Sequence, residues 1–345
     1  MQVLIVGYGK IGQIKANIWK SFGVEVLVYD ISPQKHTAIQ DDGHANYETR
    51  AQIRSSEDLI LDISTPAGHH LNSLIWALAQ EHNYTSILIE KPLASSAKEL
   101  QQFKELLNAS DVKLSEKIYI NESYYCSIAI LYVIEQLGNK LSRIQSLDIE
   151  LSKNRLSDSD SGRFFDTNLE ALGIEAPHML AILQKLGIDI SALHDQPGRL
   201  IRDVQRPDNQ AYIYEGLCQG TKIRLVSYLG DFRLDKVTIS KNIALVRKLV
   251  ITTSDRTYLV EFDPVNGGER YASQVSIIEK GGRKKVHAFV DDHLRQHLSN
   301  FIPGATMEKV QRKLVSFNNA LQITDELIQL RKSAVTVNLS DIESK

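Results

Sequence analysis

Gly7-Tyr8-Gly9-Lys10-Ile11-Gly12 follows a short apolar run, Val3–Val6, and opens a helical pattern. In that context a G-x-G-x-x-G is a phosphate cradle. Gly7 permits the tight turn, Gly9 lets backbone N–H groups approach a pyrophosphate, and Gly12 lets the helix pack close to the strand. The helix N-terminus adds unpaired donors and the positive end of its dipole. A second apolar run, Val24–Tyr29, leads to Asp30, 18 residues past Gly12, near the offset at which a carboxylate takes a ribose 2′-OH. An anionic Asp30 would repel a 2′-phosphate, and Ile31-Ser32-Pro33 offers no arginine to receive one. The motif therefore predicts NAD in preference to NADP.

Lys91 is the next candidate. It closely follows the apolar run Ile87-Leu88-Ile89, at what would be the carboxyl end of a parallel strand, where ligands bind in doubly wound sheets. Pro92 restrains it to an extended backbone. A lysine there can donate to a substrate oxygen and complement charge developing on it. His293 and His297 are spaced i, i+4, but without a third ligand nearby the spacing does not predict a metal site.

These residues need elements to hold them. Apolar strand-like runs at Val3–Val6, Val24–Tyr29, Leu59–Ile63 and Ile87–Ile89 are joined by helical patterns: Ile11, Ile14, Ile18 and Phe22 on one helix, then about His70–Gln80 and Lys98–Leu107. Alternation of this kind implies crossovers and a mostly parallel sheet. Beyond about residue 120 the rhythm changes. Tyr124–Leu137 reads as a helix, Ile144–Leu151 as a strand and Pro177–Leu186 as a short helix; strand-like runs follow at Tyr212–Leu217, Ile223–Tyr228, Lys236–Ile239, Leu249–Thr253 and Tyr258–Phe262. Collected strands predict an α+β unit with an open, largely antiparallel sheet. A stripe through Val310, Leu314, Phe317, Leu321, Ile323, Leu327 and Leu330 predicts a helix over about 306–332. The polar run Ser157–Gly162 predicts a mobile loop. The expected fold class is thus α/β, a Rossmann-type doubly wound parallel sheet over 1–120 and an α+β domain over 121–345.

Composition agrees. At 345 residues, with 43% hydrophobic, the chain is long enough for two cores. Its 40 Lys+Arg balance 42 Asp+Glu, which argues against a nucleic-acid scaffold. Cys126 and Cys218 make neither a disulfide framework nor a metal-ligand spacing. No apolar run reaches the roughly 18 residues of a membrane span, and no basic leader precedes the first strand, so a soluble cytoplasmic protein is expected.

Two further segments make a resemblance specific. Ser64-Thr65-Pro66-Ala67-Gly68-His69-His70 and Glu90-Lys91-Pro92, with the glycine turn, resemble the glucose-fructose oxidoreductase / inositol dehydrogenase (Gfo/Idh/MocA) family. The resemblance implies a Rossmann domain followed by an α/β domain used in oligomerisation, with the active site between them. It implies that Ser64, Thr65, Pro66 and His70 line the cofactor, that Glu90 orients Lys91 or meets the nicotinamide side, and that Lys91 is catalytic. Glu175-Ala176-Pro177-His178 resembles the family segment in which an acid and a histidine open a helix. Many sugar dehydrogenases of the family carry Asp four residues before that histidine; here the position is Ile174, and Glu175 stands three before. Pro177 suits a first helical turn, which would set His178 at the positive helix pole and keep it neutral as acid/base. Lys153, Arg155 and Arg163 fall in a stretch that lines the substrate pocket of relatives. The activity implied is NAD-dependent interconversion of a secondary alcohol and a ketone on a sugar, cyclitol or related polyol, in the biosynthesis of a specialised metabolite, by a homodimer or homotetramer. Alternatives within the same architecture are an imine or tetrapyrrole double-bond reductase and a non-catalytic NAD-sensing regulator.

Overall fold

The computed structural model describes residues 1–345 except 55–57, 110–112, 139–142, 163–164, 236–237, 242–244, 263–270, 303–313 and 344–345. The chain forms two compact units: Met1–Glu122 with Leu294–Thr324, and Ser123–His293 with Asp325–Lys345. Each is treated by itself below.

The first unit is built on a seven-stranded sheet. Its elements are β1 Gln2–Val6, α1 Lys10–Ser21, β2 Glu25–Tyr29, α2 Gln34–Asp41, β3 Ala45–Asn46, β4 Leu59–Ile63, α3 His70–Leu78, β5 Tyr84–Ile89, α4 Ala97–Ala109, α5 Lys113–Lys117 and β6 Ile118–Ile120. Six of the strands run in the order β6-β5-β4-β1-β2-β3, all parallel, and the seventh, Val315–Ser316, lies antiparallel beside β6, so the order reverses between β1 and β4. That switch point is where a doubly wound sheet opens a crevice at its carboxyl edge. The turns at Gly7 and Ser64 leave β1 and β4 at this edge.

The strands are apolar because helices cover the sheet: Val3, Ile5, Val26, Val28, Ile60 and Leu88 join Tyr8, Ala16, Trp19 and Ile39 in one core. The buried face of α1 differs from the one the sequence suggests. Gly12, Lys15, Ala16 and Trp19 face inward, while Ile14 is 39% exposed. Ile18 and Phe22 of the expected stripe still pack against the core from its rim, while Gly12 must approach β1 closely and Lys15 has buried acids to meet.

The second unit carries α6 Ile128–Leu137, β7 Ile144–Ser152, α7 Leu156–Asp160, α8 Leu172–Lys185, β8 Arg199–Arg202, β9 Gln210–Cys218, β10 Thr221–Tyr228, β11 Phe232–Asp235, β12 Thr238–Lys241, β13 Val246–Thr253, β14 Arg256–Glu261, β15 Ala272–Glu279 and β16 Lys284–Val290. Next come α9 His293–Ser299, which leads into the first unit, β17 Val315–Ser316, which pairs antiparallel with β6, and α10 Phe317–Ser333. β18 Val335–Asn338 and α11 Leu339–Glu343 close the chain. The sheet order is β16-β15-β14-β13-β7-β10-β9-β8-β18, antiparallel except at β7–β10 and β8–β18. The open, mostly antiparallel sheet is as predicted.

Several local expectations change. Tyr124 lies in a 3-10 turn, Ser123–Cys126, and α6 starts only after Ser127, whose Oγ caps it. The serine-aspartate run is the helix α7, not a loop: Asn154 Oδ1 accepts the Leu156 N–H at 3.0 Å, and Arg206 holds Asp160 at 2.6 Å. Of the tail helix, 306–313 lies outside the described residues; Val315-Ser316 are extended, and α10 starts at Phe317. The predicted strand Lys236–Ile239 also falls partly outside them. β15 and β16 escape the sequence reading, β16 because it is exposed on nearly every residue and shows no alternation. Among the described residues no helix is long and apolar enough to cross a membrane. Cys126 and Cys218 are buried and unbridged.

Candidate functional site

The glycine turn is shaped for close approach. Gly7 has φ +98°, and its N–H donates to the Tyr29 carbonyl at 2.8 Å. A Cβ on Gly12 would lie 2.1 Å from the Gly7 carbonyl oxygen, whereas a Cβ on Gly9 would meet nothing within 4 Å. Gly12 is therefore required by helix–strand packing, and Gly9 leaves open space above the first turn of α1. Gly9 is also the N-cap of α1, and no side chain caps the helix, so its leading N–H groups are available to an anion.

Asp30 closes the turn from β2. Its Oδ2 accepts the Tyr8 N–H at 2.6 Å and its Oδ1 the Ser32 N–H at 2.8 Å. Each carboxylate oxygen keeps a second lone pair, so both bonds orient the group without using it up. Tyr8 is fully buried; its hydroxyl donates to Asp42 Oδ2 at 2.6 Å, and burial followed by that bond pushes the phenol pKa up. Lys10 is exposed and Ile11 half-buried. The open cradle at Gly9 and the oriented Asp30 fit a dinucleotide.

The Ser64–His70 turn is fixed from within. Ser64 N–H donates to the Val6 carbonyl at 2.8 Å, and the Thr65 and Ser73 hydroxyls pair at 3.2 Å. Pro66 precedes a 3-10 turn, Ala67–His69. His70 is fully buried, with Nε2 2.8 Å from the Thr65 carbonyl and Nδ1 3.2 Å from the Leu93 carbonyl. Burial lowers its pKa, so the neutral ring donates one N–H, and it ties this turn to the segment after Lys91.

Glu90 follows β5 and is largely buried; its Oε1 lies 2.8 Å from Lys15 Nζ. Lys15, entirely buried, also meets Asp62 Oδ1 at 2.6 Å. Burial opposes the Lys15 charge, but Asp62 and Glu90 outweigh it and raise its pKa. Lys91 itself is half-buried, and its peptide bond to Pro92 is cis. Sequence reasoning missed Lys15 and Asp62. The signal was Asp62 inside Leu59-Ile60-Leu61-Asp62-Ile63: an acid in a buried strand demands a counter-charge.

In the second unit α8 begins at Leu172, so Pro177 lies inside the helix and His178 in its second turn. This corrects the expected start at Pro177 and removes the argument that the helix pole tunes His178. Proline lacks the N–H that would bond the Gly173 carbonyl, yet buried Leu172, Gly173 and Ala176 hold the helix in place. His178 is half-buried and packs on Tyr124, ring centroids 4.9 Å apart. Tyr124 meets His293 at 4.5 Å on another contact, with Phe262 edge-on at 5.1 Å. Asp291 lies 4.0 Å from His293 Nδ1, and accepts from Ser127 Oγ at 2.6 Å and Ile128 N–H at 2.8 Å. Burial opposes its charge, but His293 and these donors hold its pKa down to about 2. Glu175 is buried and bonded to Arg155 Nη2 at 2.5 Å; Arg155 and Lys153 lie 3.5 and 3.2 Å from Asp158. The basic stretch is thus engaged by acids of its own unit. Arg163 lies outside the described residues.

This geometry defines a dinucleotide-binding doubly wound sheet joined to an α+β unit. Residues 1–118 match the profile of GFO_IDH_MocA, described as an oxidoreductase family with an NAD-binding Rossmann fold. Compared with curated proteins by sequence, the chain matches none. Among solved structures it is similar to UDP-N-acetylglucosamine 3-dehydrogenase GnnA from Acidithiobacillus ferrooxidans, at 16% identity, 97% of each chain and TM-score 0.69. It is also similar to a point mutant of KijD10, a 3-ketoreductase from Actinomadura kijaniata in complex with TDP-benzene and NADP, at 12% identity, 98% and 99% coverage and TM-score 0.69. The transcriptional regulator Gal80p from Kluyveromyces lactis matches at 12% identity, 96% and 91% coverage and TM-score 0.68. At these identities the likenesses establish a shared fold.

Proposed function

We propose that the protein is an NAD-dependent oxidoreductase interconverting a secondary alcohol and a ketone on a sugar, sugar nucleotide or cyclitol. The observation that carries this reading is the open glycine cradle with Asp30 oriented at its rim, in a domain of an oxidoreductase family. The likeness to a UDP-N-acetylglucosamine 3-dehydrogenase and to a 3-ketoreductase supports the substrate class. Nicotinamide, when bound, supplies or accepts the hydride. Lys91, after β5, polarises the substrate oxygen and complements charge developing there. His178 gives or takes the hydroxyl proton. Asp30 accepts from the ribose hydroxyls and disfavours a 2′-phosphate. Glu175 is not a free acid for His178 in this scheme, since Arg155 holds it. The expected assembly is a homodimer or homotetramer, which light scattering checks.

The test is a panel of nucleotide sugars, free sugars and cyclitols, with their keto forms, monitored by NADH absorbance and repeated with NADPH. Turnover of one member with NADH supports the reading. A protein that binds NADH and turns over no alcohol or ketone is the outcome that overturns it, in favour of an imine reductase or, as for Gal80p, a regulator.

A further inference from the structure

Lys15 is a fully buried charge that no step above uses. Lysine is almost never buried without a partner, and a buried ion cluster is on balance no more stabilising than apolar residues of the same volume. Fold stability therefore does not explain why an ammonium stands here. What it does, and methionine cannot, is bond two acids on two neighbouring strands. Asp62 lies in β4, two residues before Ser64. Glu90 directly follows β5 and directly precedes Lys91, and its own N–H donates to the Ile63 carbonyl at 3.0 Å.

The rest of the cluster is organised around the same point. Asp62 Oδ2 accepts from Trp19 Nε1 at 3.0 Å, one helical turn beyond Lys15. Its Oδ1 also accepts from Asn121 Nδ2 at 3.2 Å and Ser64 Oγ at 3.4 Å. Helix α1, whose first turn is the phosphate cradle, thus grips β4 by two side chains and reaches the Lys91 turn by one of them.

We infer that Lys15 is a positioning residue that fixes the Glu90–Lys91 turn relative to the helix of the glycine cradle, so that the dinucleotide and Lys91 are held in one register. The inference rests on the oxidoreductase reading for Lys91. Lys15→Met alone leaves two buried carboxylates facing each other, so the test uses Lys15→Met/Asp62→Asn, which keeps one, and Glu90→Gln, which removes the ion pair while leaving Lys15 in place. With the ketone that the wild-type protein reduces, both variants should bind NADH within about threefold of wild type and lose at least about tenfold in kcat. Combined with Lys91→Ala, neither should slow the reaction further, because an interaction acting through Lys91 is non-additive with its loss. Additive losses, or full kcat with normal NADH binding, overturn the inference. If no substrate is turned over, the oxidoreductase reading has failed separately. The positioning claim is then decided by the rate at which N-hydroxysuccinimidyl acetate acetylates Lys91 in the NADH complex, read by mass spectrometry. A change of about threefold or more between wild type and both variants upholds it, and equal rates overturn it.

Discussion

At the residue scale, Lys91 and Asp30 carry the sharpest expectations. Lys91→Ala should lower kcat by roughly 10²–10³, the range for losing one donor to a developing oxyanion, and leave NADH affinity within about threefold; stopped-flow reduction and NADH titration read the two separately. On the reading proposed above, Asp30→Ala removes both the 2′-OH acceptor and the repulsion of a 2′-phosphate. Its NADH-over-NADPH affinity ratio should fall at least about tenfold, equivalent to about 1.4 kcal/mol, by calorimetric titration of each cofactor. An unchanged ratio would show that the rest of the pocket sets the preference. Circular dichroism is the control, since Asp30 also accepts the Tyr8 and Ser32 N–H groups. The places of these two residues were legible in the sequence, since each closely follows a parallel strand. Lys15 was not legible, because its partners come from β4 and the end of β5, 47 and 75 residues away.

At the element scale, the turn between β1 and α1 is set by contact distances rather than by propensity. Gly12→Ala would place a methyl 2.1 Å from the Gly7 carbonyl oxygen. That carbonyl is backbone and cannot swing aside, so α1 must shift; NADH binding should weaken more than about tenfold and the thermal midpoint should drop, by fluorescence titration and calorimetry. Gly9→Ala meets nothing in the protein. It should leave the midpoint unchanged while weakening NADH, because the only space it fills is the cradle. The pair of variants separates packing from binding within one six-residue motif. Helix α8 shows where element reading fails. Pro177 suits a first turn by residue type, yet the helix begins at Leu172 because burial of its first turn outweighs the lost proline bond.

At the scale of the whole molecule, buried titratable groups set the response to acid. His297 is fully buried; burial first, then Lys15, lowers its pKa to about 4 from an ordinary 6.5. Below pH 6.5 the unfolded chain takes up a proton that the folded chain refuses. The stability tied to this residue is therefore lost as pH falls from about 6.5 to 4, roughly 3 kcal/mol in all. Asp291, held down to about 2 from 3.8, adds a loss of the same sign in a lower window: its contribution is present above pH 3.8 and disappears as pH falls toward 2. Urea unfolding at pH 7.5, 6 and 5 should show decreasing stability, and His297→Gln should flatten that slope; an unchanged slope would place the acid sensitivity elsewhere.

By itself the sequence determined the class of the first unit, four of its parallel strands and three of its helices, and the places of the glycine turn and of Lys91 along the chain. These follow from local rules: alternation of apolar runs, glycines at fixed offsets, and a lysine and an acid close behind their strands. It also determined that the second unit collects strands into an open sheet. Tertiary structure alone decided which face of α1 is buried, that His70 braces two turns, that Arg155 holds Glu175, and that Tyr124 lies against both His178 and His293. Each depends on atoms brought together from distant parts of the chain, where hydrogen-bond geometry and the cost of burying a charge choose among partners that sequence spacing leaves equivalent.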